Sequence, residues 1–92
     1  MSDFNPPRTF TVTQEDIDKG ARGNSYICPL ALAIKRAIPA FLRDGVCVGL
    51  EQVTINESKY GMSLETAKAV WVFDLTGVMS PFTAKIGGAN AN

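Results

Sequence analysis

The chain has 92 residues, of which 46% are hydrophobic and 20% are charged. This length and composition are typical of one globular domain and exclude a disordered chain. Lysine plus arginine and aspartate plus glutamate both number 9, so the formal net charge is 0. That balance argues against nonspecific attraction to nucleic acid or to a membrane surface.

The expected compartment is the cytoplasm. No apolar run reaches the roughly 18 residues that a membrane-spanning helix requires. The first residues lack the basic and then apolar profile of a signal peptide. We therefore expect Cys28 and Cys47 to be reduced, buried thiols and not a disulfide. The chain has no histidine, so it lacks an ordinary zinc-ligand set, and we predict neither a metal nor a cofactor.

The first elements along the chain are predicted from alternation and capping. Residues 1–8 are polar and proline-rich, which predicts a flexible arm before a single domain over residues 9–86. A strand follows over residues 9–13, where threonines alternate with apolar residues. Thr13 and Asp16 are spaced as an approximate capping box for a short helix over about residues 14–19. Gly20 is expected to end this helix in the left-handed conformation.

The central helix is predicted to begin at Pro29, because proline suits the first helical position. Cys28 then occupies the cap position, where it is a poor capping residue. Apolar residues recur at helical spacing, and polarity begins only at Lys35. We expect this helix to enter the core end-on, with its N-terminal half at the centre of the fold. Pro39 prevents an unperturbed continuation, and a kinked turn is predicted before Gly45.

The middle of the chain is predicted to hold two strands. In residues 46–50 the apolar side chains have one parity, and in residues 53–56 they have the other. One regular strand would turn its apolar set over midway, so a turn or bulge is expected over residues 49–52. Residues 56–61 are polar and predict a loop. A last alternating strand is expected over residues 82–86, followed by a flexible tail over residues 87–92.

Residues 63–77 admit two interpretations. A cap at Ser63 and a stop at Gly77 favour a helix. Four apolar residues share one face of that helix: Leu64, Ala67, Trp71 and Leu75. The run of residues 70–73 is β-branched and aromatic, which also suits a buried strand. We favour the helix over residues 64–76, and the strand stays open.

These elements predict a single small α+β domain. Their order is β-α-α-β-β-α-β, with a small, mostly antiparallel sheet packed on the central helix.

The chain also resembles a group of small uncharacterised proteins encoded by tailed bacteriophages. The resemblance rests on three stretches: residues 12–20, residues 28–33, and Ser80-Pro81-Phe82 with the short strand after it. It implies a strand, a short acidic helix, a Cys-Pro-led alanine and leucine helix, and a later helix before the last strand. It also implies a bacterial host cytoplasm. The family brings no activity or site residue with it.

No catalytic constellation is evident in the sequence. Histidine is absent, which removes the commonest general base and the usual partner of a nucleophile. Cys28 at a helix start is a conceivable reactive thiolate, but its apolar neighbours favour an inert core cysteine. Glu15, Asp16 and Asp18 either bind a cation or a basic partner, or simply complement the helix dipole, which we favour. We therefore expect a protein that is not an enzyme.

Two binding functions remain. If residues 64–76 are helical, Val70 and Phe73 point away from the face that holds Trp71. Either the helix is buried on two sides within the monomer, or its second apolar face meets a partner, and the two alternatives stay open. The first expectation is protein binding through Val70, Trp71 and Phe73, either to a host or defence factor or in a homodimer.

The alternative is nucleic-acid binding. Lys35, Arg36 and Arg43 lie near one another at the outer end of the central helix, where they can contact phosphates. A solvated helix end explains the same residues without a ligand.

Overall fold

The computed structural model describes residues 9–49 and 52–87. The elements occur in the order β1 (Thr9–Val12), α1 (Gln14–Lys19), α2 (Pro29–Ala37), a 3-10 helix (Ala40–Gly45), β2 (Val46–Val48), β3 (Gln52–Ile55), β4 (Ser58–Gly61), α3 (Leu64–Thr76) and β5 (Phe82–Lys85). The mixed α+β class is confirmed. The predicted N-terminal arm lies outside the described residues, as does the predicted tail apart from Gly87.

The strands form two sheets and not the single sheet that was predicted. β1 and β5 pair antiparallel, from Thr9 opposite Lys85 to Val12 opposite Phe82. β2, β3 and β4 form an antiparallel meander. An isolated bridge between Met62 and Ile86 connects the two sheets. Helix α2 contacts both β1 and β2, so it lies against both sheets.

Strand β4 was not predicted, because its sequence is polar and resembled a loop. Asn56 and Glu57 both take positive φ angles, 50° and 76°. Two central residues with positive φ make the tight turn whose twist matches a β-hairpin. The hairpin places Tyr60 opposite Val53, and Tyr60 is buried. One inward aromatic side chain therefore holds an otherwise polar strand against the core.

Helix α2 has the predicted start and burial. Pro29 is at its beginning, and Cys28 caps it without a side-chain hydrogen bond. The residues of its N-terminal half are buried, whereas Arg36 and Ala37 are exposed. The core collects around this half, with Phe10, Val12, Leu30, Ile34, Val46, Val53 and Ile55 among its members. The helix thus enters the core at one end and reaches solvent at the other.

Gly20 ends α1, but not in the left-handed conformation that was expected. Its φ is −74°, and its N–H donates to the carbonyl of Asp16 at 2.8 Å. A Cβ on Gly20 would lie 2.6 Å from Cδ of Pro29. Glycine is therefore needed here because the start of α2 packs directly on the end of α1, and not because of backbone φ.

The Asp16 carboxylate, in the first turn of α1, forms hydrogen bonds within the turn and to another helix. Asp16 completes the predicted capping box, since its Oδ2 accepts from the Thr13 N–H at 2.9 Å and from the Thr13 hydroxyl at 3.1 Å. Its Oδ1 accepts from Nη1 of Arg36. Nη2 of Arg36 also donates to the carbonyl of Thr11 at 2.9 Å. One ion pair thus joins β1, α1 and α2.

This environment sets the charge state of Asp16. Burial alone would raise the pKa of the Asp16 carboxyl, but the hydrogen bond from Arg36, followed by those from Thr13, outweighs burial and holds the pKa below its usual value. A carboxylate with a lowered pKa stabilises the folded state fully at pH values above the pKa of the same carboxyl in the unfolded chain, about 3.9. That stabilisation is lost as the pH falls through the lower, folded pKa.

We predict that Asp16→Asn lowers the free energy of unfolding at pH 7 by about 1–3 kcal/mol, because it breaks charge-assisted hydrogen bonds. The variant also loses less stability than the wild type when the pH falls below about 4. Urea unfolding at several pH values measures both effects. Asp18→Asn is the control, since Asp18 is exposed and accepts only from Gln14 within the described residues. Equal pH dependence in wild type and Asp16→Asn would contradict the prediction.

Candidate functional site

Helix α3 carries the candidate site, and its residues are helical as favoured. The Ser63 hydroxyl accepts from the Thr66 N–H at 3.2 Å and caps the start. Gly77 ends the helix in the left-handed conformation, with φ of 76°, and donates to the carbonyl of Phe73 at 2.7 Å. The alternative of a buried strand is wrong, because these two local signals outweigh the β propensity of residues 70–73.

The structure reverses the two faces of this helix. Val70 and Phe73 are each 4% exposed and belong to the interior, so their expected place on a binding surface is not supported. Trp71 is 52% exposed and Leu75 is 57% exposed. The face predicted from helical spacing therefore lies in solvent, and the second face packs on the core. Of the three predicted protein-binding residues, Trp71 alone is accessible.

A groove lies beside this exposed face. It has a volume of about 590 Å³ and a mostly apolar lining. One wall is formed by Ala69 and Val72 of α3, and the other by Met79, Phe82 and Thr83. Glu65 and Lys68 contribute one charge of each sign to the lining. No pattern in the sequence predicts this groove, because it depends on how the segment after α3 folds back along the helix.

The exposed apolar residues extend from the start of α3 to just beyond its end, where one of them lines the groove. Leu64 is 84% exposed, and Val78, which lines the groove, is 66% exposed. We use the name α3 surface for the exposed side chains of Leu64, Trp71, Leu75 and Val78 together with the groove. A single exposed apolar side chain is ordinary, but a group beside an apolar groove is typical of an interaction site.

Tertiary contacts fix the C-terminal end of α3. Arg22 donates from Nη2 to the carbonyl of Leu75 at 2.6 Å and from Nε to the carbonyl of Asp74 at 3.3 Å. The Gly23 N–H donates to Oδ1 of Asp74 at 3.0 Å. The loop between α1 and α2 thereby caps the last carbonyls of α3. The apolar side chains beside them are presented by a fixed backbone.

The predicted basic residues do not form one free patch. Arg36 is paired with Asp16. Lys35 donates from Nζ to the carbonyl of Tyr26 at 2.6 Å, and Arg43 donates from Nε to the carbonyl of Lys35 at 2.6 Å. Lys35 and Arg43 are therefore brought together, and both satisfy backbone carbonyls. The Arg36 guanidinium is directed toward the Asp16 carboxylate.

Sequence reasoning missed two exposed aromatic residues near this basic end. Tyr26 is 57% exposed, and Phe41, two residues before Arg43, is 83% exposed. Aromatic residues in loops and short helices carry no periodic pattern, so their exposure is decided only by tertiary packing.

The environment of Cys28 is that of a core residue. Its side chain is buried, and burial raises the pKa of the Cys28 thiol. Backbone N–H groups at the start of α2 oppose this shift but do not cancel it. Within residues 9–49 and 52–87, no group of three potential metal-ligating side chains comes together.

The helices of the described ranges are each too short or too polar to cross a bilayer. Comparison with protein-family models, with curated proteins and with solved structures finds no significant match to this chain. The resemblance to bacteriophage proteins thus stays a prediction.

We predict that iodoacetamide modifies Cys47, which is half-buried, before it modifies Cys28. The thiolate is the reactive form, and burial with a raised pKa suppresses it at Cys28. Peptide mapping by mass spectrometry across a urea series is expected to show Cys28 labelling only when the chain unfolds. Labelling of Cys28 in the folded protein at the rate of a free thiol would contradict this and point to a reactive cysteine.

Proposed function

We propose that this is a small phage-type protein that acts in the bacterial cytoplasm by binding another protein, a host or defence factor, through the α3 surface. The observation that carries the proposal is the group of large apolar side chains exposed on one side of α3 beside an apolar groove. Water-exposed apolar area of this kind favours association.

The free energy available from burying the exposed apolar side chains is large enough to support binding of a specific partner. Full burial of one large apolar side chain contributes about 1.5–3 kcal/mol relative to leaving it in water. Trp71 and Leu75 are each more than half exposed, so a partner that covers both regains a substantial part of this amount. Tryptophan is also among the residues that most often dominate binding energy at protein interfaces.

The rigidity of the surface adds to the argument. Arg22 and Gly23 hold the backbone of the last turn of α3, so that backbone needs little ordering when a partner binds. A pre-organised surface loses less entropy on association than a loose one.

A second protein is a better occupant than a second copy of this chain. The groove is bounded by α3 on one side and by β5 on the other. A segment that enters it must reach between these two elements, and the β5 edge of a second copy carries its own α3 beside it. The self-association that the sequence also suggested is therefore an outcome of the test and not the proposal.

We predict that Leu75→Asp abolishes partner binding without unfolding the protein, because Leu75 is exposed and a charge there opposes apolar contact. Affinity capture from a bacterial host lysate, followed by quantitative mass spectrometry, compares this variant with the wild type. Phe41→Asp is the matched control, since Phe41 is an equally apolar residue exposed on another element. The affinity of the captured protein is expected to fall more than about tenfold for Leu75→Asp alone.

Two results would contradict this prediction. In the first, the same captured protein is retained equally by the wild type and by both variants, which places its binding elsewhere. In the second, sedimentation shows a dimer of this chain that Leu75→Asp dissociates, which makes a second copy the occupant.

A second candidate function is nucleic-acid binding at Lys35 and Arg43. The observation that favours it is that neither residue forms an ion pair within the described residues, and that Lys35 contacts the backbone of Tyr26, an exposed aromatic residue. Unpaired cations beside aromatic side chains suit single-stranded nucleic acid, through phosphate contacts and base stacking. Arg36 adds little, because Asp16 compensates its charge.

This alternative predicts that a fluorescein-labelled single-stranded oligonucleotide binds at low salt and dissociates steeply as salt rises. The double variant Lys35→Gln and Arg43→Gln is expected to weaken that binding, and Lys68→Gln on α3 is the control. Fluorescence anisotropy measures both. No binding at low salt would remove this candidate.

A further inference from the structure

We propose that the groove of the α3 surface binds an extended peptide segment, which adds as a strand to the outer edge of β5. This inference rests on the proposed protein-binding function and specifies how the partner is held. The basic end of α2, the buried Cys28 and the acidic turn of α1 are occupied by contacts within the chain, whereas the groove offers both an apolar cavity and a free strand edge among the described residues.

The register of β5 shows which of its backbone groups face outward. The Lys85 N–H donates to Oγ1 of Thr66 at 2.9 Å, and the Lys85 carbonyl accepts from the Ser63 N–H at 3.0 Å. Both groups of Lys85 therefore point away from β1. In an antiparallel pair, hydrogen-bonded positions alternate with positions that face outward. The backbone N–H and C=O groups of Phe82 and Ala84 consequently point toward β1, and those of Thr83 and Lys85 point toward the outer edge.

Thr83 is thus an outward-facing position without a backbone partner. Its N–H and carbonyl take part in none of the hydrogen bonds found outside the helices and strand ladders of the described residues. Thr83 also lines the groove. The donor and acceptor of Thr83 are therefore presented to whatever occupies the groove, in the way that a free sheet edge invites another strand.

The C-terminal end of this β5 edge is already paired with another segment, and at its N-terminal end a proline cannot donate a hydrogen bond. Residues 61–63 pair antiparallel with β5 at Ile86, and the Gly87 N–H donates to the carbonyl of Gly61 at 2.7 Å. Pro81 precedes β5 and has no N–H to donate. An incoming segment therefore continues the line of residues 61–63, pairs chiefly with Thr83, and remains short.

The helix side of the groove supplies the remaining affinity. Ala69 and Val72 face the strand side, where Met79 and Phe82 are exposed to the same space. A volume of about 590 Å³ lies within the range of roughly 300–1,000 Å³ that is usual for ligand pockets. In strand addition, main-chain hydrogen bonds give affinity and pockets for alternate side chains give specificity. The partner segment is therefore extended, with apolar residues at alternate positions.

The first experiment uses a peptide selected from a random ten-residue display library on the immobilised protein. Hydrogen exchange followed by NMR is expected to show that the Thr83 amide exchanges rapidly in the free protein and becomes protected with the peptide bound. N-methylation is then scanned along the peptide. It is expected to weaken binding by about tenfold or more at the residue opposite Thr83, and much less at the adjacent residues, whose N–H groups point away from β5.

The second experiment changes the protein. Thr83→Pro removes the outward N–H but leaves the β1 ladder intact, so peptide affinity is expected to fall by about tenfold or more. Thr83→Val keeps the N–H and is the matched control, and circular dichroism reports whether each variant folds. Ala69→Arg fills the groove from the helix side and is also expected to abolish binding. If Thr83→Pro fails to fold, the N-methyl scan decides the question without it.

The outcomes separate this inference from the proposed function. Failure to select any peptide, or selected peptides that leave Thr83 unprotected and show no alternating N-methyl pattern, would overturn strand addition. A captured protein that is lost with Leu75→Asp but retained with Thr83→Pro would do the same, while leaving protein binding at the α3 surface in place. A captured protein that neither variant affects would overturn both.

Discussion

The burial of the N-terminal half of α2 is the constraint on which the rest of the structure depends. Leu30 and Ile34 are fully buried, and the small side chains of Ala31 and Ala33 let neighbouring backbone approach closely. Because α2 contacts strands of both sheets, it supplies the common interior that neither sheet builds alone, since a two-stranded or three-stranded sheet has too little apolar face to be stable by itself. Gly20 lets the start of this helix pack directly on the end of α1.

The opposite end of α2 is held by polar contacts, which changes the meaning of its cations. Arg36 neutralises the buried carboxylate of Asp16, and Arg43 satisfies a carbonyl near the end of the helix. In the sequence these residues resemble a phosphate-binding patch, because the sequence shows their charges but not the groups with which they pair. In the structure Arg36 joins β1, α1 and α2, and Arg43 joins the 3-10 helix to α2.

Helix α3 has two apolar faces, and the sequence does not decide which of them is buried. It is apolar on most sides, so periodicity identifies two faces but does not rank them. In the structure the Thr66 hydroxyl accepts from the Lys85 N–H of β5, and Thr66 is buried together with Val70 and Phe73. Trp71 and Leu75 are then left in solvent. A buried threonine hydroxyl needs hydrogen-bond partners. That of Thr66 accepts from the Ser63 hydroxyl, three positions away, and from the Lys85 N–H, nineteen positions away.

Local chemistry in the sequence determined the helices and the mixed fold class. The box at Thr13, proline at the start of α2, the cap at Ser63 and glycine after α3 act over a few residues, so they can be read without a structure. Tertiary structure alone decided the division into two sheets, the strand at residues 58–61, the role of Gly20, and the side of α3 that faces water. Each of these depends on contacts between distant segments, whose geometry no local pattern records.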